Sequence, residues 1–207
     1  MTWLPSVSGR AIDLVDPSPA QVDFRDMAHA LANLNRYGGH GQIQVSVALH
    51  KLIGLDLCPE PVKPYWLLHD GHEERLGEIT TPSRQALIAV ARDLGGDGGA
   101  ALLKDAIDEF KRRHDAVIHE AAGLPMPSAI VRGQIADIDL RCLATEHRDF
   151  HRTSARPWHH ETMGIQPARS VRKWQTPDKI AEQLYSRFEL HLPALSGRRT
   201  PSLFEGV

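Results

Sequence analysis

The stretch VSVALHKLIGLDLCPEPVKPYWLLHDGHEERLGE, residues 45–78, decides the fold. Apolar side chains recur at 45, 48, 49, 52 and 53, the three-and-four spacing of one helical face. A helix is therefore predicted over Val45 to Leu57, closed by Cys58-Pro59 and Pro61. A second is predicted over Val62 to Arg75, with Tyr65, Trp66 and Leu68 as core contacts and Gly77 as its stop. Two helices joined by a proline-rich corner, without an alternating strand pattern, set an all-α reading.

Working outward, Phe24, Met27, Ala28, Leu31 and Leu34 carry the same periodicity, and Arg36-Tyr37-Gly38-Gly39 ends that helix. Residues 1–20 form a lead-in with a short hairpin around Ser8-Gly9-Arg10. Downstream, helices are predicted over Ser83 to Leu94, Ala100 to Ala122, Ser128 to Phe150 and Asp178 to Leu190. The GGDGG run at 95–99 is read as too flexible for structure of its own. Residues 151–175 read as a surface-draping segment and the tail from Leu192 as frayed. The expectation is one compact all-α domain over 1–207, with its core at about 20–190.

A net charge of −2 and a pI near 6.6 exclude a nucleic acid polymer as the main partner while allowing a small phosphorylated ligand. No apolar run approaches the roughly 20 residues of a membrane helix, and the N-terminus lacks a basic start with an apolar core. A cytoplasmic location is expected by elimination. Cys58 and Cys142 stand alone among apolar neighbours and read as reduced packing residues. The 12 histidines invite a search for metal ligands.

The chemistry concentrates at Leu67-Leu68-His69-Asp70-Gly71-His72-Glu73-Glu74-Arg75. An apolar helix that ends in several ionisable groups buries charge, which costs several kcal/mol unless a counter-charge compensates it. A bound cation would do so. His69 offers a borderline nitrogen and Asp70 a hard oxygen, and a further His and Asp would suit a divalent transition ion. His50 on the preceding helix and Asp139, which interrupts an apolar pattern in Ala136-Asp137-Ile138-Asp139-Leu140, complete the set, with Asp137 as the rival to Asp139. Glu73, four residues after His69, would lie one turn along the same face as a proton-handling group. Glu146, seven after Asp139, could hold a neighbouring basic group. His40, His72, His147, His151, His159 and His160 read mostly as surface or supporting residues, and Lys111-Arg112-Arg113-His114 as a solvated face.

The ordered series Arg36-Tyr37-Gly38-Gly39-His40, Ser46 to His50, Leu67 to Glu73, Gly77-Glu78-Ile79-Thr80-Thr81-Pro82 and Asp139 to Glu146 resembles the short HD-domain phosphohydrolases. Within these it is similar to bacterial 5′-deoxynucleotidases and phage-type deoxynucleotide triphosphohydrolases. The similarity runs from about Gly9 to Leu190, including Pro157-Trp158 and Trp174 to Pro177. The resemblance implies a helical bundle, one divalent ion (Co, Mn, Zn, Fe or Mg) held by His50, His69, Asp70 and Asp139, and a catalytic Glu73. It also implies a phosphate contact by Arg36, a sugar-side acid at Glu78 and a substrate contact at Arg84, where the family often has lysine. Two positions depart from the pattern: Leu49 stands where Glu or Gln usually precedes the first ligand, and Glu78 where Asp is usual. Tyr37, beside Arg36, is assigned to stacking on a base or ribose.

The activity so implied is removal of phosphate from deoxynucleoside monophosphates, with triphosphate hydrolysis next. A cyclic-nucleotide phosphodiesterase and a catalytically idle nucleotide-binding module are the further alternatives. A homo-oligomer is implied by the resemblance, and 151–175 is where its contacts are expected.

Overall fold

The computed structural model describes residues 2–169 and 173–196. The predicted hairpin forms: β1 (Trp3–Pro5) pairs antiparallel with β2 (Ala11–Asp13), placing Leu4 opposite Ile12. Ser8 at its tip donates from its hydroxyl, 2.6 Å, to Asp26, which fastens the hairpin to α1 (Phe24–Asn33). The Asp23 carboxylate opens α1 by accepting from the backbone N–H groups of Arg25 and Asp26.

Helix α2 (Val47–Leu55) is buried along its entire length, as a helix that is apolar nearly all round must be. Ser46 caps it, its hydroxyl accepting from the Leu49 N–H at 3.1 Å. Gly54 has a packing reason. A Cβ there would fall 2.0 Å from the Trp66 ring, so only glycine lets this helix approach the next one.

The helix predicted over Val62 to Arg75 is broken. Helix α3 (Lys63–Leu68) stops before His69, Asp70 turns the chain with φ +55°, and α4 (Glu73–Leu76) follows. The Gly71 N–H returns to the Leu68 carbonyl at 2.9 Å, closing a tight turn. His69 and Glu73 therefore do not share one helical face, which corrects that expectation. The polar residues end the helix because their backbone turns here.

Helix α5 (Thr81–Ala121) is two arms folded back at Gly95-Gly96, where Gly96 takes φ +64°. The disruption is confined to those two glycines; Asp97 to Gly99 are already helical, contrary to the flexible-run expectation. The arms run antiparallel: Arg84 Nη2 meets Asp108 Oδ1 at 2.6 Å, and a Cβ on Gly99 would lie 2.6 Å from the Ala91 carbonyl oxygen. This hairpin leaves Leu87, Val90, Leu94 and Leu102 exposed. At its base His114 is buried, bonded to the Arg75 guanidinium at 3.0 Å and the Leu14 carbonyl at 3.1 Å, so the Lys111 to His114 run is not wholly a solvated face.

Helix α6 (Ala129–Phe150), capped by Ser128, buries Ile135, Ile138, Cys142 and Phe150 against α2 and α3. Within the stretch expected to drape the surface, α7 (His159–Thr162) packs against the end of α6, and Ala168 donates its N–H to Thr145 at 2.8 Å. Part of that stretch, 170–172, lies outside the described residues. Helix α8 (Pro177–His191) closes the core against α1 and α2, with the Phe24 and Phe188 rings 5.6 Å apart. Leu192 is fully buried and α9 (Pro193–Ser196) docks on the end of α5 through Ala194 N–H to Ala122 O, 3.1 Å. The expectation of fraying is wrong at 192–196, because these residues cover the core; 197–207 lie outside the described residues. Both cysteines are free and buried, as expected. Among the described residues, no helix is long and apolar enough to cross a membrane.

Candidate metal centre

Three elements bring the predicted ligands together. The buried helix α2 supplies His50, the turn after α3 supplies His69 and Asp70, and α6 supplies Asp139. One donor atom each of His50, His69 and Asp139 lie within 4.8 Å of one another, the arrangement of a group able to hold a metal ion. His50 Nε2 stands 3.3 Å from Asp139 Oδ1, and His69 Nε2 stands 3.0 Å from Asp70 Oδ2. Asp137, the rival, is exposed and outside the group.

The fit to a cation rests on unsatisfied nitrogen. His50 Nε2 and His69 Nε2 are both buried and lack a hydrogen-bond partner of acceptable geometry. A buried polar atom left so costs about 1–3 kcal/mol, which ligation of an ion would offset. Electrostatics agree. Burial and Arg36 both work against a proton on His50, yet Glu146 and Asp139 outweigh them and its pKa is pushed up to about 9. The carboxylates demand a positive charge, and a divalent ion in place of that proton would meet the demand. Asp70 is held well below the usual carboxylate range: burial opposes ionisation, but His69, His72 and Lys51 prevail.

Around these four sits an ordered support. His50 Nδ1 lies 2.7 Å from Glu146 Oε1, while Glu146 Oε2 accepts from Arg36 Nε at 3.1 Å and from the Tyr37 hydroxyl. Glu146 is fully buried and holds basic groups, as its spacing suggested. Tyr37 takes φ +59°, an uncommon conformation for a bulky residue, followed by two left-handed glycines that turn the chain at 38 and 39. Its hydroxyl points inward to Glu146, and its ring meets His151 and Trp158 at 4.5 and 5.5 Å.

Glu73 is buried, and its carboxyl is pushed up to about 8 by burial and by the neighbouring Asp70. Glu78 is raised by burial, with Arg36 and the Gly38 N–H pulling the other way, so it faces the same cluster. Arg84 is held elsewhere, by Asp108 across the α5 hairpin. Among the predicted site residues, His50, His69 and Asp139 group their donor atoms, Asp70 pairs with His69, and Arg36 and Tyr37 meet on Glu146.

Sequence reasoning missed Lys51. It is fully buried and donates from Nζ to the backbone oxygen of His69, with burial lowering its pKa to about 8 against the pull of Asp70 and Glu73. The signal was present as a lysine directly after His50 in a helix whose other residues are apolar. Trp66 was expected in the core; it also stacks on His69 at 5.2 Å and 28° and donates from Nε1 to the Lys51 carbonyl at 2.8 Å. His72, read as a surface or supporting residue, is buried with Nδ1 2.9 Å from Asp115 Oδ1, which fits the supporting role.

No family model matches the chain. It is 33% identical over 141 residues to an uncharacterized protein of Rhodobacter capsulatus, covering 63% of this chain and 64% of that protein's length. It is 28% identical over 153 residues to the uncharacterized protein YfdR of Escherichia coli strain K12, covering 72% of this chain and 73% of the relative. The chain thus spans just under two thirds of the first of these relatives and nearly three quarters of the second.

Proposed function

We propose that this chain is a metal-dependent phosphohydrolase of the HD-domain type that removes phosphate from deoxynucleoside monophosphates. The observation carrying the reading is the convergence of His50, His69 and Asp139, with Asp70 at His69, around two buried imidazole nitrogens that face carboxylates without making a well-formed hydrogen bond. The ordered resemblance across the chain supports the nucleotide as substrate.

When bound, a divalent ion supplies Lewis acidity toward a phosphoryl oxygen and activates water. The remaining work falls to the chain. Glu146 pairs with His50 and with Arg36 Nε, and the rest of that guanidinium would meet negative charge on the phosphoryl oxygens. Glu73, grouped with Asp70 and with its carboxyl pushed up to about 8, would hold or pass the proton that leaves attacking water. Lys51, donating to the His69 carbonyl, fixes the backbone of the ligand turn. Glu78 lies on the same electrostatic cluster and would meet the sugar.

A second reading, a two-ion phosphodiesterase for cyclic nucleotides, is favoured by the grouping of Asp70, His72 and Glu73. His72 Nδ1 is paired with Asp115 at 2.9 Å and leaves a buried Nε2 without a hydrogen-bond partner, the same arrangement as at His50, so the ion count per chain separates the two readings. Incubation with deoxynucleoside mono- and triphosphates and cyclic nucleotides, each with Mn, Co or Zn, distinguishes the cases by product. Monophosphates should yield deoxynucleoside and inorganic phosphate, and Glu73→Ala should abolish it. Tripolyphosphate release would favour the triphosphatase, and no turnover with any nucleotide and metal would overturn the proposal.

A further inference from the structure

A second set of donors sits at the far end of α6, apart from the four ligands above. His147, in its last turn, faces α7, which carries His160 and Glu161. Donor atoms of these three lie within 4.8 Å of one another. His147 Nδ1 and His160 Nε2 are 3.2 Å apart. Two nitrogens bound to a tetrahedral zinc at about 2.0–2.1 Å stand roughly 3.3 Å from each other, the edge of the tetrahedron. The two imidazoles therefore already hold the separation of a ligand pair.

The surroundings fix that pair. Trp158 stacks on the His147 ring at 4.3 Å with only 13° between planes. One oxygen of Glu161 accepts from the Trp158 N–H at 2.6 Å, which holds the carboxylate beside the histidines. A cavity of about 400 Å³ is lined by His147, His151, His160 and Glu161. His160 is 4% exposed, and His160 Nδ1 and His151 Nε2 are buried polar atoms without hydrogen-bond partners. The atoms that would ligate, His147 Nδ1 and His160 Nε2, have only each other as partners, so one neutral imidazole must donate where an ion would take both lone pairs.

We propose that His147, His160 and Glu161 hold a second transition-metal ion of the zinc class, which clips α7 to the end of α6. Nitrogen and carboxylate donors suit zinc or cobalt above magnesium or calcium, which prefer oxygen alone. The clip has a consequence for the first centre. Trp158, just ahead of α7, packs on Tyr37, whose hydroxyl bonds Glu146. An ion here would therefore steady the aromatic wall beside the nucleotide site.

The experiment is metal stoichiometry on untagged full-length protein, stripped and then titrated with zinc chloride, and in parallel with cobalt chloride read by visible absorption. The wild type should bind two ions per chain. His160→Gln and His147→Gln should each remove one, and His69→Ala should remove the other. Glu161→Gln, which can keep the contact to the Trp158 N–H, should weaken the second ion by roughly tenfold or more without unfolding, since Glu161 is exposed. If the central site fails instead, one ion should remain that is lost in His160→Gln and kept in His69→Ala. A wild type whose every bound ion disappears in His69→Ala, or a stoichiometry unchanged in folded Glu161→Gln, His147→Gln and His160→Gln, would overturn the second site.

Discussion

His50 Nδ1 lies 2.7 Å from Glu146 Oε1, and the other oxygen of that carboxylate receives Arg36 Nε at 3.1 Å. One buried acid thus sets both the imidazole that faces Asp139 and the arginine that would face phosphate. A carboxylate behind a ligating histidine fixes its tautomer and raises its basicity. The standard loss on removing such a partner is roughly 10–100-fold in metal affinity or activity. Glu146→Gln should show a loss of this size by calorimetric titration with manganese, with near-wild-type circular dichroism. An affinity equal to wild type would show that His50 does not depend on Glu146.

Gly54 and Trp66 form a second dependent pair. A Cβ at 54 would sit 2.0 Å from the indole, and the indole carries His69 on its face. Gly54→Ala should cost about 3 kcal/mol through overpacking, a fall in Tm of roughly 6–12 °C. It should also weaken ion binding, because the displaced indole moves the ligand turn. Thermal melts with and without added metal measure both effects.

Asp70 carries two properties that can be separated. Its φ of +55° is tolerated by Asp and Asn far better than by Ala. Asp70→Asn should lose the ion while keeping the apo-protein melt within about 1 kcal/mol of wild type; Asp70→Ala should lose the ion and add about 1 kcal/mol of backbone cost. Equal apo stability for the two variants would remove the backbone argument.

Glu74 predicts a pH dependence away from the ligands. Its side chain is 5% exposed, 3.8 Å from Arg75 Nε, and burial pushes its carboxyl up to about 7 against the pull of Arg75. The folded chain keeps this proton to about pH 7, whereas an unfolded chain releases it near 4.5. The stability it contributes is complete below 4.5 and is lost as pH rises through 7. Gln at this position stays neutral, so the stability of Glu74→Gln relative to wild type should climb between pH 5 and pH 8. The climb should reach about 3 kcal/mol at most, at ~1.4 kcal/mol per pH unit. A difference that stays flat across that range would contradict the assignment.

The helices, the hairpin and the grouping of His50, His69 and Asp139 were legible because each depends on local signals: apolar period, capping serine, glycine stop, and polar residues that interrupt an apolar face. What the sequence hid depends on tertiary contact. The break at His69-Asp70 reads as continuous helix although Asp70-Gly71 is a turn dipeptide, because the apolar run up to Leu68 outweighs that signal. GGDGG reads as loose, whereas packing of Gly99 against Ala91 reduces the disorder to one two-residue reversal. Arg84 is assigned by resemblance to a position where the family often has lysine, and its partner Asp108 lies 24 residues on, reachable only because α5 folds back. His160 sits in a segment without periodicity, so its burial against α6 could not be inferred from spacing.

One catalytic ion held by His50, His69, Asp70 and Asp139 makes Asp137 and Asp139 unequal, and that inequality can be measured. Both lie on α6 two residues apart, yet Asp139 joins His50 and His69 while Asp137 faces solvent. Manganese or cobalt bound per chain should be counted for Asp139→Asn and Asp137→Asn alongside release of phosphate from a deoxynucleoside monophosphate. Asp139→Asn should bind one ion fewer than wild type and release no phosphate, with Asp137→Asn unchanged in both. Full ion content and turnover in Asp139→Asn would contradict the account.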